Sequence, residues 1–328
     1  MAARPLQMIP PDAAPAFLAQ CGWVGCQILP LAGDASFRRY FRVAGEGRSA
    51  VLMDAPPPHE DPRPFIAVAR HLSGLGFAAP GIIGEDTVQG LVLIEDFGDG
   101  RMAEAIIADQ SRENAIYEAA VDLLLELVKH PPAEGLRPYD MAEYQREAGL
   151  FTEWYAPALS LDVDVEGYRR AWAEALAPIA SHQTVTVLRD YHAENIMLLD
   201  GGKRLGLLDF QDALAGHPVY DLVSLLQDAR RDVSPDLEAA MIARYAASAP
   251  FDDAAYALLG AQRNAKILGI FTRLWKRDGK PRYLGYQPRV WGYLERDLKH
   301  SALTPVTDWF DRNVPLEQRA AAWDILPA

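Results

Sequence analysis

Residues 188–199 read Leu188-Arg189-Asp190-Tyr191-His192-Ala193-Glu194-Asn195-Ile196-Met197-Leu198-Leu199, a polar knot that runs into an apolar stretch. A second apolar stretch, 204–209, ends in Asp209-Phe210-Gln211, and between the two lies Asp200-Gly201-Gly202-Lys203, a turn of the kind that closes a β-hairpin. Such a hairpin brings Asn195 and Asp209 together although fourteen positions separate them. These residue types then have assignable work in phosphoryl transfer. Asp190 orients and deprotonates a hydroxyl, while Asn195 and Asp209 hold magnesium (Mg2+) against the phosphates of ATP. An isolated Asp-x-x-x-x-Asn arises by chance; the spacing, the hairpin and the second Asp together do not arise so easily.

Upstream, residues 11–20 have the spacing of a short helix, with Asp12 near its start and Gly22 beyond its end. Residues 27–31, 37–44 and 49–54 are rich in β-branched and aromatic side chains and are punctuated by Gly33, Gly45 and Gly47, which predicts an antiparallel meander. A helical pattern over 63–75, strands at 82–83 and 91–94, and the Gly-rich hinge Glu95-Asp96-Phe97-Gly98-Asp99-Gly100 complete a small β-lobe. Beyond the hinge, apolar residues recur at helical intervals over 112–129, 141–154, 167–181, 219–229, 236–247, 253–276 and 288–299. The expectation is an α+β, bilobal chain: a nucleotide-binding lobe over 1–97, and a larger helical lobe over 98–328 that carries the catalytic loop and the substrate pocket.

A chain of 328 residues, 50% hydrophobic, can bury a large core or two lobes, as a soluble enzyme does. No apolar run approaches the roughly 20 residues that cross a bilayer, and the N-terminus lacks a signal-peptide pattern, so a cytoplasmic location is expected. Cys21 and Cys26 have no companions at metal-ligand spacing and read as plain thiols. A net charge of −13 argues against nucleic-acid or anionic-membrane partners. One segment opposes the acidic trend: Arg263, Lys266, Arg273, Lys276, Arg277, Lys280 and Arg282 face the single acid Asp278, which suits either an anionic ligand or a solvated helix face. Gly74-Leu75-Gly76 lacks the strand-turn-helix context of a dinucleotide loop, and the acids at 162–166 read as a helix N-terminus rather than a calcium loop.

The order Asp190-Tyr191-His192-Ala193-Glu194-Asn195, a hairpin, Asp209-Phe210, then His217-Pro218-Val219-Tyr220-Asp221-Leu222 resembles the aminoglycoside phosphotransferase and choline kinase superfamily, which shares the protein-kinase fold. The resemblance spans nearly the whole chain. Residues 33–42, 51–56 and 262–271 are similar to bacterial cell-wall recycling kinases, which phosphorylate N-acetylmuramate and N-acetylglucosamine at the anomeric hydroxyl.

That resemblance implies a phosphate-covering hairpin at 33–42, with Gly33, Ser36, Arg38 and Arg39 toward the nucleotide, and an adenine edge at Glu95 and Phe97. It gives Asp190 the catalytic role, has His192 orient the loop or meet the transferred phosphate, and makes Asp221 a brace. Asp212 would meet sugar hydroxyls, and Arg263 and Lys266 would pair with a lactyl carboxylate. The implied partners are ATP and a small amino sugar, and a monomer is expected. One departure is chemically serious. Related kinases carry a phosphate-binding lysine on the third strand where this chain has Met53, and no partner glutamate stands in 65–75. An arginine of the 38–42 stretch is expected to take over that contact. A kinase of another small hydroxyl compound (aminoglycoside, choline or homoserine) remains the alternative. The missing lysine also permits a nucleotide-binding regulatory module, against which the complete Asp190, Asn195 and Asp209 set argues.

Overall fold

Strand alternation over residues 27–95 builds a single antiparallel sheet. Its strands are β1 (Gln27–Pro30), β2 (Arg39–Gly45), β3 (Arg48–Asp54), β4 (Ile82–Asp86) and β5 (Leu91–Glu95), in the order β1-β2-β3-β5-β4. The computed structural model describes residues 8–31 and 38–320. β2 and β3 join at Glu46-Gly47, where both residues take positive φ (53° and 72°), the left-handed pair that a two-residue hairpin turn demands. Register pairs Tyr40 with Met53 and Phe41 with Leu52. Phe41, Val43, Leu52, Leu91 and Leu93 therefore share one face, which packs on Phe17 and Leu18 of helix α1 (Ala14–Gln20) and on Trp23.

Tyr40, Arg42, Met53 and Val92 take the opposite face. β3 is buried from Ala50 to Asp54, so both of its faces are covered. Helix α2 (Arg63–Gly74) buries Phe65, Ile66, Val68, Ala69 and Leu72, and Phe65 stacks on Phe210 at 5.1 Å between ring centroids.

The chain forms two compact units: residues 1–108 with 194–212, and residues 109–193 with 213–328. The sequence reading cuts the chain at 97/98 and places the hairpin with the helices. The hairpin, β7 (Ile196–Leu199) with β8 (Arg204–Leu207), instead groups with the sheet unit. Local contacts explain this grouping: Leu207 N donates to Ala78 O at 2.8 Å, and Leu198 N to Gly100 O at 2.7 Å.

The helical unit is organised around the long helix Asp253–Lys276, most of whose side chains are buried. An aromatic cluster of Phe151, Tyr155, Tyr168, Trp291, Trp309 and Phe310 fills its core, with ring centroids as close as 4.5 Å for Tyr168 and Trp309. Two short strands, β6 (Val185–Val187) and β9 (Leu214–Gly216), pair antiparallel in this unit. Asp164 caps the helix Val165–Leu176 by accepting from Gly167 N at 2.8 Å, as the helix-start reading of those acids requires. The helical pattern read over 141–154 breaks after Ala148 into a π-type turn, Phe151–Tyr155, and the helix Thr304–Asn313 was not anticipated. Cys21 and Cys26 are free thiols.

Candidate active site

In the sheet unit, the hairpin does what its spacing predicts. Ile196 pairs with Leu207, Leu208 N donates to Asn195 O at 3.0 Å, and the Asn195 carboxamide lies 3.4 Å from Asp209 Oδ2. Asp209 has φ of 59°, a left-handed backbone that turns the chain sharply at the strand end. Gln211 Nε2 donates to the other oxygen of Asp209 at 2.8 Å. A carboxylate beside a carboxamide supplies hard oxygen donors, the set with which Mg2+ is held by one or two side chains plus substrate phosphates. Among the described residues no group of three or more His, Cys, Asp and Glu could hold a metal without such phosphates.

The arginines of β2 divide by strand parity. Arg39 pairs with its register partner Asp54, Nε to Oδ2 at 2.7 Å. Arg42 is clamped by Asp96 and Asp99, both at 2.8 Å. Arg38 lies 3.1 Å from Glu60 and 3.8 Å from Asp212. Gly33 and Ser36 lie outside the described residues. Glu95 is exposed and accepts from Gly81 N at 3.2 Å, whereas the Phe97 ring packs on Gly206, where a Cβ would come within 2.8 Å of it. Gly206 is thus required for close approach to β8. Met53 is fully buried.

In the helical unit, Asp190 sits on the loop that follows β6. Asp221 braces this loop: Oδ2 accepts from Leu188 N at 2.7 Å, Oδ1 accepts from Arg189 N at 2.9 Å, and Ser224 Oγ donates to Arg189 O at 3.0 Å. Burial pushes the Asp221 carboxyl up to about 7 even though the two N–H donors oppose it. Arg189 takes φ of 71°, a strained conformation for a non-glycine residue that this bracing sustains.

Burial likewise raises the Asp190 carboxyl, but Lys266, His192, Arg189 and Arg263 outweigh it and hold the group below the ordinary carboxylate range. His192 is buried, with Arg230 Nη1 3.1 Å from its Nε2, and burial followed by the Arg230 charge lowers it to about 4. A neutral, buried imidazole fits the loop-orienting role of the two expected for it.

The basic segment divides at its middle. Arg263 and Lys266 are buried: Arg263 Nη1 donates to Gln227 O at 3.3 Å, and Lys266 Nζ lies 2.9 Å from Glu147. Lys276, Arg277 and Arg282 are exposed. The segment is therefore half core anchor and half solvated end.

Glu147, which sequence reasoning passed over, is the hub. It is buried and contacted by Arg189, Lys266 and the Tyr139 hydroxyl. Burial raises its carboxyl, yet Lys266 and Arg189 prevail and bring it to about 2. Its signal was available, since an acid at 147 falls among Tyr144, Ala148 and Phe151 on an apolar helix stripe. Asp228 and Glu60 were also missed. Asp228 lies under Ala193 N at 3.4 Å.

A sheet unit of this topology with a helical unit defines the two-lobed, protein-kinase-like class. The solved ternary complex of streptomycin, ATP and aminoglycoside phosphotransferase APH(2'')-IIa aligns with a TM-score of 0.59 at 12% identity, covering 90% of this chain and 98% of that one. Residues 27–259 match the phosphotransferase enzyme family, and the chain belongs to it. Within the family it is 37% identical to the N-acetylmuramate/N-acetylglucosamine kinase of Caulobacter vibrioides, over 93% of this chain and 96% of the relative. It is 41% identical to the protein of the same name from Pseudomonas aeruginosa, over 82% and 83% of the two chains.

Proposed function

We propose that the protein is an ATP-dependent kinase that phosphorylates N-acetylmuramate and N-acetylglucosamine at the anomeric hydroxyl, giving the sugar 1-phosphates of peptidoglycan recycling. The observation that carries this reading is the 37% identity, over 93% of the chain, to a relative that bears the name of that kinase. The side chains support it chemically. Asp190 is kept ionised by Lys266, Arg189 and Arg263 and so can accept the acceptor hydroxyl's proton late in transfer. Asp221 fixes the loop through two backbone N–H groups, so the acid need not be ordered anew in each turnover. Asn195 and Asp209 are the residues that would hold Mg2+. When bound, the ion neutralises charge on the nucleotide phosphates.

The test is ATP consumption in magnesium buffer with N-acetylmuramate, N-acetylglucosamine, kanamycin, choline and homoserine offered separately. Turnover with the two amino sugars alone is expected. Turnover with kanamycin, choline or homoserine in their place would transfer the chemistry to another acceptor. ATP binding without any turnover would favour a regulatory module.

A further inference from the structure

At the position on β3 where a lysine is expected to meet the nucleotide phosphates the chain has Met53, fully buried and uncharged. The three arginines of β2 and its approach are each held differently. Arg39 faces away from Met53 by strand parity and is neutralised by Asp54, itself buried. Arg42 shares the Met53 face but sits at the Asp96 end of the strand, about 13 Å along the chain from position 38.

Arg38 shares that face as well, and its neighbours are different. Glu60, from the loop before α2, forms an ion pair with Arg38, 3.1 Å from Nε. Tyr40, the register partner of Met53, accepts a hydrogen bond from Arg38, and its phenol feels the charge of Asp209. The Nη2 edge lies 3.8 Å from Asp212 Oδ2, at ion-pair rather than hydrogen-bond distance. Arg38, Glu60, Gln211 and Asp212 also line a cavity of about 550 Å3 within the sheet unit.

We infer that Arg38 is the residue that binds the nucleotide's phosphates, with Glu60 as its positioning partner, an Arg–Glu pair standing in for the strand lysine and helix glutamate of other kinases. A kinase needs that ion pair to present a cation to the α- and β-phosphates. Here the carboxylate comes from the loop ahead of the helix, and the cation comes from β2 rather than β3. Glu60 ion-pairs with the Nε side of the guanidinium, and the Nη2 side, toward Asp212 and the cavity, is the one that a phosphate oxygen takes. A planar guanidinium can hold a carboxylate and a phosphate on separate edges, which an ammonium does less well.

The inference rests on the protein being an ATP-using kinase. The experiment separates the two ideas. Dissociation constants for adenosine, ADP and ATP are measured with magnesium chloride for the unmodified chain, Arg38→Ala, Glu60→Gln and the double variant. Arg38→Ala is expected to weaken ADP and ATP at least tenfold and to leave adenosine within twofold. Glu60→Gln should give a smaller loss of the same selectivity, and the double variant should be no worse than Arg38→Ala. Loss in step for all three ligands, unchanged ADP binding, or additive effects in the double variant would overturn the inference. If Arg38→Ala does not fold, Glu60→Gln alone decides, because it keeps the arginine and must still weaken ADP relative to adenosine. Failure of the unmodified chain to bind ADP or ATP would instead sink the kinase reading itself.

Discussion

Asp190 keeps its charge because three cations of the same unit, Lys266 most strongly, then Arg189 and Arg263, outweigh its burial. Replacing it with Asn retains the shape and removes the proposed proton acceptor, so kcat should fall on the order of 100- to 10,000-fold while ATP affinity stays within a few fold. Steady-state kinetics with N-acetylglucosamine would check this. Asp209→Ala should abolish turnover and flatten the dependence on magnesium concentration, because Asn195 alone is a poor ligand. Both acids stand out in the sequence by type and spacing, and the hairpin that sets Asn195 beside Asp209 forms as that spacing predicts. For the buried hub Glu147 the apolar stripe signalled burial but not the partners, which come from residues 139, 189 and 266, far apart in the chain, and only folding brings them to one carboxylate.

Helix and loop pairings carry the next set of consequences. Removing Glu147 leaves Lys266 and Arg189 buried without their shared anion, so Glu147→Leu should cost about 3–5 kcal/mol, measured by urea unfolding at pH 7. The pH dependence has a definite sign. The folded carboxyl titrates at about 2 against an ordinary value of 4.5. Its contribution is therefore fully present above 4.5 and is lost as pH falls toward 2. Unfolding free energies at pH 7, 4 and 3 should decline for the unmodified chain more steeply than for Glu147→Gln.

Gly269 illustrates a different limit of reading. It lies mid-helix in 253–276, where a glycine is a weak signal, but a Cβ there would stand 2.3 Å from the carbonyl carbon of Leu150. Two backbones approach too closely for any side chain, so Gly269→Ala should cost about 1–3 kcal/mol or more, visible as a lowered Tm. The strands, the hairpin and most helices could be read from periodicity. The break of one helix before Phe151–Tyr155 was passed over although Gly149 stands at it, because a lone glycine inside a helical pattern is a weak signal and the backbone of Gly269 that approaches Leu150 lies far along the chain.

For the molecule as a whole, composition and family agree on a small-molecule phosphotransferase. The chain carries a net charge of −13, and among the described residues no helix is long and apolar enough to cross a membrane. The basic run at 263–282, which on sequence alone suited an anionic ligand, spends Arg263 and Lys266 on core contacts to Gln227 and Glu147. Its charge count therefore does not by itself argue for an acidic sugar. The choice of acceptor rests on the relatives that match most of the chain. The most direct measurement is phosphorus NMR of the product formed from ATP, magnesium and N-acetylmuramate. A single new phosphomonoester coupled to the anomeric proton is the predicted result. No new ester, or one on another hydroxyl of the sugar, would contradict the assignment.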